Sequence, residues 1–216
     1  MPPAPFEPIS QEAFRRFHAD FHGESWDICN ECGGKCEISK IGSLMPGEAE
    51  FIAADLKVPV DDFRRRFLDG IDTGGAIVDV LKLKPGCPFL SPSFRCTIPE
   101  VKVVLCDVYP VVFDVSDGAV EFSLDEWCPI VRYEPPIAEH FRVKGIPALE
   151  ALGVPARWYE AVSAYDSLCV DYTRFARLRG DALDYRVFTL DEIKSCVATD
   201  APPPELPRRR YLRVLQ

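Results

Sequence analysis

The chain has 216 residues, of which 47% are hydrophobic and 27% charged, a composition typical of a globular protein with a sizeable core. Its formal net charge of −9 repels the phosphate backbone of nucleic acids, so we expect no nucleic-acid partner. The start, MPPAPFEPIS, lacks the basic and apolar regions of a signal peptide, and no apolar run approaches the roughly 20 residues of a membrane helix. We therefore expect a cytoplasmic protein with no membrane partner.

The N-terminal part of the chain predicts three short helices. Phenylalanines at helical spacing after the N-cap Ser10 predict a helix over residues 10–21. Pro46, at a first helical position, opens a second helix. A third follows Pro59 and ends at the Asp69-Gly70 step.

The central part of the chain predicts strands, and its C-terminal part predicts helices. Residues 76–83 are rich in β-branched side chains, which favours a strand, and residues 109–115 and 119–124 predict a hairpin. Pro135-Pro136 indicates a break. We expect a long helix from Pro155 to Gly180 and a short one after Thr189.

These elements predict an α+β fold, mainly helical, with a small antiparallel hairpin and cysteine loops pinned by metal. The domain organisation we expect has four parts: an N-terminal helix and arm (1–25), a cysteine-cluster metal-binding domain (26–134), a C-terminal helical region packed on it (135–200) and a tail (201–216).

The nine cysteines are the main functional signal. A reducing cytoplasm disfavours disulfides, so clustered thiols there indicate metal ligands or catalytic groups. Cys29, Cys32 and Cys36 lie within eight positions of one glycine-containing loop. A Cys-x-x-Cys turn lets two thiolates bind one ion, and we interpret this loop as part of a metal site.

A second group of cysteines is spread along the chain and can meet only through the fold. It consists of Cys87, Cys96, Cys106 and Cys128, which we also predict as metal ligands. The alternative is that some of them are small buried hydrophobic residues, and this alternative weighs most for Cys128.

The remaining cysteines and the histidines are predicted to be structural. Cys169 lies on the apolar stripe of the long helix and Cys196 at the end of a short one. His18 and His22 have an i, i+4 spacing that can bind a metal, but a position near a helix C-terminus explains them without one. His140 is interpreted as a surface or packing residue.

Several short stretches together resemble the YkgJ-type cysteine-cluster family over roughly residues 26–130. These stretches are Cys29-Asn30-Glu31-Cys32-Gly33-Gly34-Lys35-Cys36, Leu44-Met45-Pro46-Gly47-Glu48, Cys87-Pro88-Phe89-Leu90, Cys96-Thr97-Ile98 and Cys106-Asp107-Val108-Tyr109-Pro110. The chain differs from the family pattern at three positions: Lys35 stands in place of a cysteine, Pro99 in place of a tyrosine and Asp107 in place of an arginine.

The resemblance implies a zinc- or iron-chelating domain. A flagellin lysine methylase with a similar cluster also resembles this arrangement, which favours iron or an iron–sulfur cluster over zinc. An all-cysteine shell suits both metals, so both alternatives stay open. The candidate ligands exceed the four that one closed site needs, which leaves either a redundant thiol or a second metal.

Two function classes follow from these residues. The first is a metal-binding protein in which the cluster is structural or handles metal, with a protein partner unidentified. The second is a metalloenzyme, redox or modifying, with an open coordination position for substrate. A thiol oxidoreductase using Cys29 and Cys32 would need a thioredoxin-like βαβ context, which the sequence does not show.

Overall fold

The computed structural model describes residues 5–21, 42–81, 87–89, 91, 96–169, 187–189 and 191. Over these residues the protein has the predicted α+β fold, mainly helical with a two-stranded antiparallel hairpin and a small three-stranded mixed sheet. No helix in the described ranges is long and apolar enough to cross a membrane.

Helices and strands follow one another in groups along the chain. The helices are α1 (Gln11–Phe21), α2 (Glu48–Asp55), α3 (Val60–Phe67), α4 (Val104–Asp107), α5 (Pro129–Tyr133), α6 (Pro135–His140), α7 (Ile146–Ala151) and α8 (Ala156–Cys169). A 3₁₀ turn (Pro99–Val101) precedes α4, and a π-helical turn (Phe141–Gly145) joins α6 to α7. The strands are β1 (Leu68–Asp72), β2 (Ile77–Leu81), β3 (Val111–Ser116), β4 (Ala119–Leu124) and β5 (Val187–Thr189).

The first helix forms as predicted and packs its phenylalanine face against α2. The Ser10 hydroxyl accepts a hydrogen bond from the Ala13 amide at 3.1 Å, which caps the helix N-terminus. The rings of Phe14 and Phe51 stack with centroids 5.2 Å apart. Pro46 lies in the turn before α2 and Gly47 is its N-cap, so the second helix begins two residues later than the proline suggested.

A three-stranded sheet with the order β2-β1-β5 follows α3. β1 is antiparallel to β2, with Leu68 opposite Leu81, and parallel to β5. The prediction that Asp69-Gly70 ends the third helix is wrong, because both residues lie in β1. Pairing with β2 decides their conformation, and this tertiary interaction outweighs the local turn signal.

The predicted hairpin of β3 and β4 is confirmed. Asp117 and Gly118 form its two-residue turn with φ values of 52° and 77°, the left-handed pair that a type I′ turn requires. The hairpin packs on α8, where the Tyr159 ring contacts Phe113 and Phe122 with centroid distances of 4.8 and 5.7 Å.

The break predicted at Pro135-Pro136 separates two helices, because α5 ends at Tyr133 and α6 begins at Pro135. Proline fits the first turn of a helix, where its missing N–H needs no partner. The predicted long helix is confirmed as α8 up to Cys169. Its predicted end at Gly180 and most of the short helix predicted after Thr189 lie outside the described residues.

One cluster of buried side chains connects these elements. It contains Phe14 of α1, Ile52 of α2, Phe63 of α3, Val80 of β2 and Trp158 of α8, each fully buried. The segment that carries Cys106 belongs to the same cluster through its neighbouring valines. The cysteine-bearing turns are therefore packed against the main core.

Candidate metal centre

The structure describes four of the seven cysteines predicted as ligands. Cys29, Cys32 and Cys36 lie outside the described residues, as do His22, Cys196 and the side chain of Cys169. The geometry of the candidate centre therefore rests on Cys87, Cys96, Cys106 and Cys128.

Three of these four cysteines line one cavity. Cys87, Cys96 and Cys106 are separated by eight and nine residues in sequence, yet all three contribute to the wall of a cavity of about 10 Å³. This volume corresponds to about one water-sized sphere. The fold thus brings together the three later cysteines of the family-like region.

Apolar side chains and one lysine complete the cavity wall. Leu81 at the end of β2 contributes, as do Phe89 and Val103. Lys102 is the basic residue of the described lining, and its positive charge offsets part of the negative charge that several thiolates bring to one place. The mainly apolar surroundings suit soft thiolate ligands.

Backbone hydrogen bonds fix the turns that carry Cys87 and Cys96. The Phe89 amide donates to Cys87 Sγ at 3.4 Å, the type of bond that stabilises a thiolate ligand. The Phe89 carbonyl in turn accepts from both the amide and the hydroxyl of Thr97, at 2.8 and 3.0 Å. Because Thr97 directly follows Cys96, these two bonds tie one cysteine turn to the other.

Cys106 lies in the single-turn helix α4. Its amide donates to the Val103 carbonyl at 2.8 Å, and the Asp107 amide donates to the same carbonyl at 2.9 Å. Val103 and Val104 are buried in the core, so their apolar side chains anchor this turn beside the cavity.

Gly42 brings the segment that follows the first cysteine loop to this cavity. The backbone amide of Leu81 donates a hydrogen bond to the Gly42 carbonyl at 3.0 Å. A Cβ atom on Gly42 would lie 3.1 Å from Cys106 Sγ. Cys36 precedes Gly42 by six residues, a length that spans at most about 20 Å of extended chain. The described chain therefore resumes beside Cys106, six residues after Cys36.

The cavity cysteines do not amount to a complete metal site by themselves. Within the described part of the chain, no group of three or more His, Cys, Asp or Glu side chains is arranged as a metal-binding set. Lining a cavity requires only that each thiol reach its wall, whereas zinc needs every sulfur about 2.3 Å from one point. Further ligands would have to come from another part of the chain.

Cys128 lies in a different environment. It is buried in the core at the N-cap of α5 and is not among the residues that line the cavity. Asp125 organises its turn, since the Asp125 carbonyl accepts from the Cys128 amide at 3.0 Å and its carboxylate accepts from the Tyr109 hydroxyl at 2.9 Å. The proposed role of Cys128 as a ligand stays a prediction.

A buried group of ionisable side chains next to Cys106 has no counterpart in the sequence predictions. His18 Nδ1 lies 3.5 Å from Asp107 Oδ2, with the two side chains only 7% and 5% exposed. The His18 ring also stacks on Phe51 at 5.5 Å. Glu48 is completely buried, and burial raises its pKa to about 8, with Asp107 adding to the shift and two backbone N–H bonds opposing it.

The sequence carried only weak signals for these residues. Glu48 reads as an ordinary acid in a first helical turn, and Asp107 stands where the family resemblance implies arginine. His140 is half-buried and lies 6.1 Å from the Phe21 ring, a packing position in agreement with its predicted role.

The chain has no significant match among known proteins in three comparisons: no family model matches it, and neither does any curated protein or solved structure.

Proposed function

We propose that this protein binds a metal centre through its cysteine cluster, with iron or an iron–sulfur cluster as the first assignment and zinc as the alternative. The ligands would be Cys29, Cys32 and Cys36 together with cysteines of the cavity. The proposal includes a cytoplasmic location, since a reducing compartment keeps such thiols available as ligands.

The observation that carries the proposal is the convergence of Cys87, Cys96 and Cys106 on one cavity. Packing alone does not require three thiols spread over twenty positions to line the same cavity, because small buried hydrophobic residues can occupy any part of the core. The closeness of Gly42 to Cys106 Sγ supports the inclusion of the first cysteine loop, because Cys36 precedes Gly42 by only six residues.

The chemistry of the donor set fits the proposed centre. Thiolates are soft ligands that suit zinc and iron–sulfur clusters alike. The N–H donated to Cys87 Sγ stabilises negative charge on that sulfur, and apolar side chains make up much of the surrounding wall. When bound, an iron–sulfur cluster would supply one-electron redox chemistry, and zinc would supply a structural cross-link.

The resemblance to the YkgJ-type family supports the same assignment at the level of motifs. Each cavity cysteine begins one of the family-like stretches, and their order along the chain is that of the family. Asp107 in place of the family's arginine lies beside His18 in this chain, so the difference concerns a buried pair next to Cys106.

Anaerobic purification followed by metal and acid-labile sulfide analysis tests the proposal. Iron with equimolar sulfide would identify an iron–sulfur cluster, iron without sulfide a mononuclear site, and zinc alone the alternative. Serine at Cys87, Cys96 or Cys106 should each lower the metal content, because sulfur is replaced by a much weaker ligand.

Cys196→Ser provides the matched control, because it removes one thiol outside the family-like region. We expect this variant to keep its metal. Protein that contains no stoichiometric metal and binds neither iron, with or without sulfide, nor zinc on reconstitution would refute the proposed function.

A further inference from the structure

Glu48 joins two backbone segments close to the cavity from within the core. It is the first residue of α2, and its side chain is 0% exposed. Oε1 accepts a hydrogen bond from the Val104 amide at 2.6 Å, and Oε2 accepts one from the Met45 amide at 2.8 Å. One buried carboxyl group therefore binds two backbone segments that are far apart in sequence.

The first of these segments carries Cys106. Val104 is the first residue of α4, and no side chain of its N-cap residue bonds to this helix. A single helical turn is not stable by itself, because it fixes several dihedral angles for very few hydrogen bonds. The bond from Glu48 satisfies an N–H that the helix cannot satisfy internally, and it holds the turn that directs Cys106 to the cavity.

The second segment leads from the first cysteine loop. Met45 follows residues 42–44, which pair with β2 through bonds between Leu44 N and Asp79 O and between Leu81 N and Gly42 O. Gly42 at the start of this segment lies against Cys106 Sγ. Glu48 thus binds both the segment that carries Cys106 and the segment that carries Gly42. These two residues lie in close contact at the candidate site.

The burial of this carboxyl group is costly, which argues for a specific role. A buried acid stabilises the fold less than an apolar residue of similar volume would. Its hydrogen bonds can, however, fix an arrangement of the backbone that apolar contacts cannot fix. Hydrogen bonds have direction, and here they set the position of one backbone turn relative to another.

We propose that Glu48 is a positioning residue for the metal site, holding the α4 turn with Cys106 in register with the segment from Gly42 to Met45. This inference rests on the proposed function. Glu48 binds no metal itself in this proposal. It sets the geometry in which the thiols meet.

The test uses the reduced, metal-free full-length chain titrated with Co²⁺, whose absorption bands report thiolate ligation. In Glu48→Gln the amide offers one acceptor oxygen for two N–H donors, so one bond is lost at nearly constant volume. We expect Co²⁺ to bind about tenfold more weakly or worse, with a changed band pattern, the effect of losing one strong hydrogen bond at a buried site.

A second variant removes the donor instead of the acceptor. Val104→Pro deletes the N–H that Oε1 accepts, and proline is favoured at a first helical position, where the preceding Val103 already has an extended ψ of 129°. Agreement between the two variants would assign the effect to the bond itself, even if one of them folded poorly.

Val162→Ala is the control for general destabilisation, since Val162 is fully buried in α8 and does not line the cavity. Equal weakening of Co²⁺ binding in Val162→Ala and Glu48→Gln at equal loss of stability would overturn the positioning role. Unchanged Co²⁺ affinity and bands in both Glu48→Gln and Val104→Pro would overturn it too.

A separate readout distinguishes this inference from the proposed function. In the metal-free protein, alkylation of each thiol can be followed by mass spectrometry, and we expect Glu48→Gln to change the rate at Cys106 but not at Cys128. If the wild type bound neither Co²⁺, Zn²⁺ nor iron, the proposed function would fail. If it bound metal while the Cys106 rate and the Co²⁺ bands of Glu48→Gln stayed the same, only the positioning role would fail.

Discussion

Gly42 lies so close to Cys106 that a Cβ atom added to it would stand 3.1 Å from the Cys106 sulfur. The same atom would stand 2.9 Å from Leu81 Cδ1, which is closer than real Cβ contacts allow. The space at this position is therefore limited by the thiol on one side and by the cavity wall on the other.

Gly42→Ala should weaken metal binding more than its effect on stability explains. Its methyl group would push against Leu81 and Cys106, at a cost of about 1–3 kcal/mol for overpacking. Metal affinity and the urea unfolding midpoint should both be measured.

The matched control is Gly145→Ala, whose methyl group would meet Val111 and Phe21 at 3.2 and 3.3 Å, away from the cavity lining. We expect Gly145→Ala to lose stability but to keep its metal affinity. A metal affinity equal to that of the wild type in Gly42→Ala would mean that the contact with Cys106 does not affect the site.

A pair of threonines with the same local bonding tests the link between the two cysteine turns. Thr97 donates to the Phe89 carbonyl through both its amide and its hydroxyl, and Thr73 donates to the Ala76 carbonyl in the same way, at 2.9 Å for each bond. Thr97→Val and Thr73→Val should each destabilise the fold by about 1 kcal/mol.

Of these two variants, only Thr97→Val is expected to lower metal affinity. Thr97, unlike Thr73, connects the turn that carries Cys87 to the turn that carries Cys96. Isothermal titration of the two variants with Zn²⁺ would measure this difference. Equal affinities would show that the backbone bond alone maintains the two turns.

The sequence predicted what local interactions determine. The Ser10 cap and the turn at Asp117 and Gly118 each depend on a few neighbouring residues, and both form as expected. Asp69-Gly70 has a helix-end pattern, but pairing with β2 places it in a strand. A pattern of a few neighbouring residues does not show which distant segments they pair with in the fold.

The candidate site was predictable only in part, for the same reason. The family-like motifs led us to expect that the later cysteines would meet, whereas their spacing alone does not place them together. The burial of Glu48 depends on Val104, 56 residues away, and no local feature of α2 indicates it. A buried acid and a solvated one have the same letter in the sequence.

The stability of the metal-free protein should decrease as the pH rises from about 4.5 to about 8. Burial raises the pKa of Glu48 from 4.5 to about 8, so the native state binds more protons than the unfolded state within this window. The contribution of Glu48 is fully present below pH 4.5 and is lost as the pH rises to about 8.

Urea unfolding at pH 5, 6.5 and 8 would measure this dependence, with Glu48→Gln as the reference. The difference in free energy of unfolding between wild type and variant should change in favour of the variant with increasing pH, by at most about 1.4 kcal/mol per pH unit. A difference independent of pH would show that Glu48 has an ordinary pKa.

Metal binding should stabilise the cysteine turns more than it stabilises α8. Residues 26–36 and 85–106 are rich in glycine, proline and cysteine, a composition that disfavours helices and strands, so we expect metal ligation to contribute a large share of their stability. The bonds that are described there, from Thr97 N to Phe89 O and from Cys106 N to Val103 O, belong to short turns.

Hydrogen exchange on the metal-free and metal-loaded proteins, followed by segment, would test this. Removal of the metal should accelerate exchange at the Thr97 and Cys106 amides by about tenfold or more, whereas the amides of Val162 and Tyr165 in α8 should change much less. Both α8 side chains are fully buried against the core, which holds this helix without a metal. Unchanged exchange at Thr97 and Cys106 would mean that the metal binds to turns already formed by the rest of the fold, and an equal acceleration in α8 would mean that the whole domain depends on the metal.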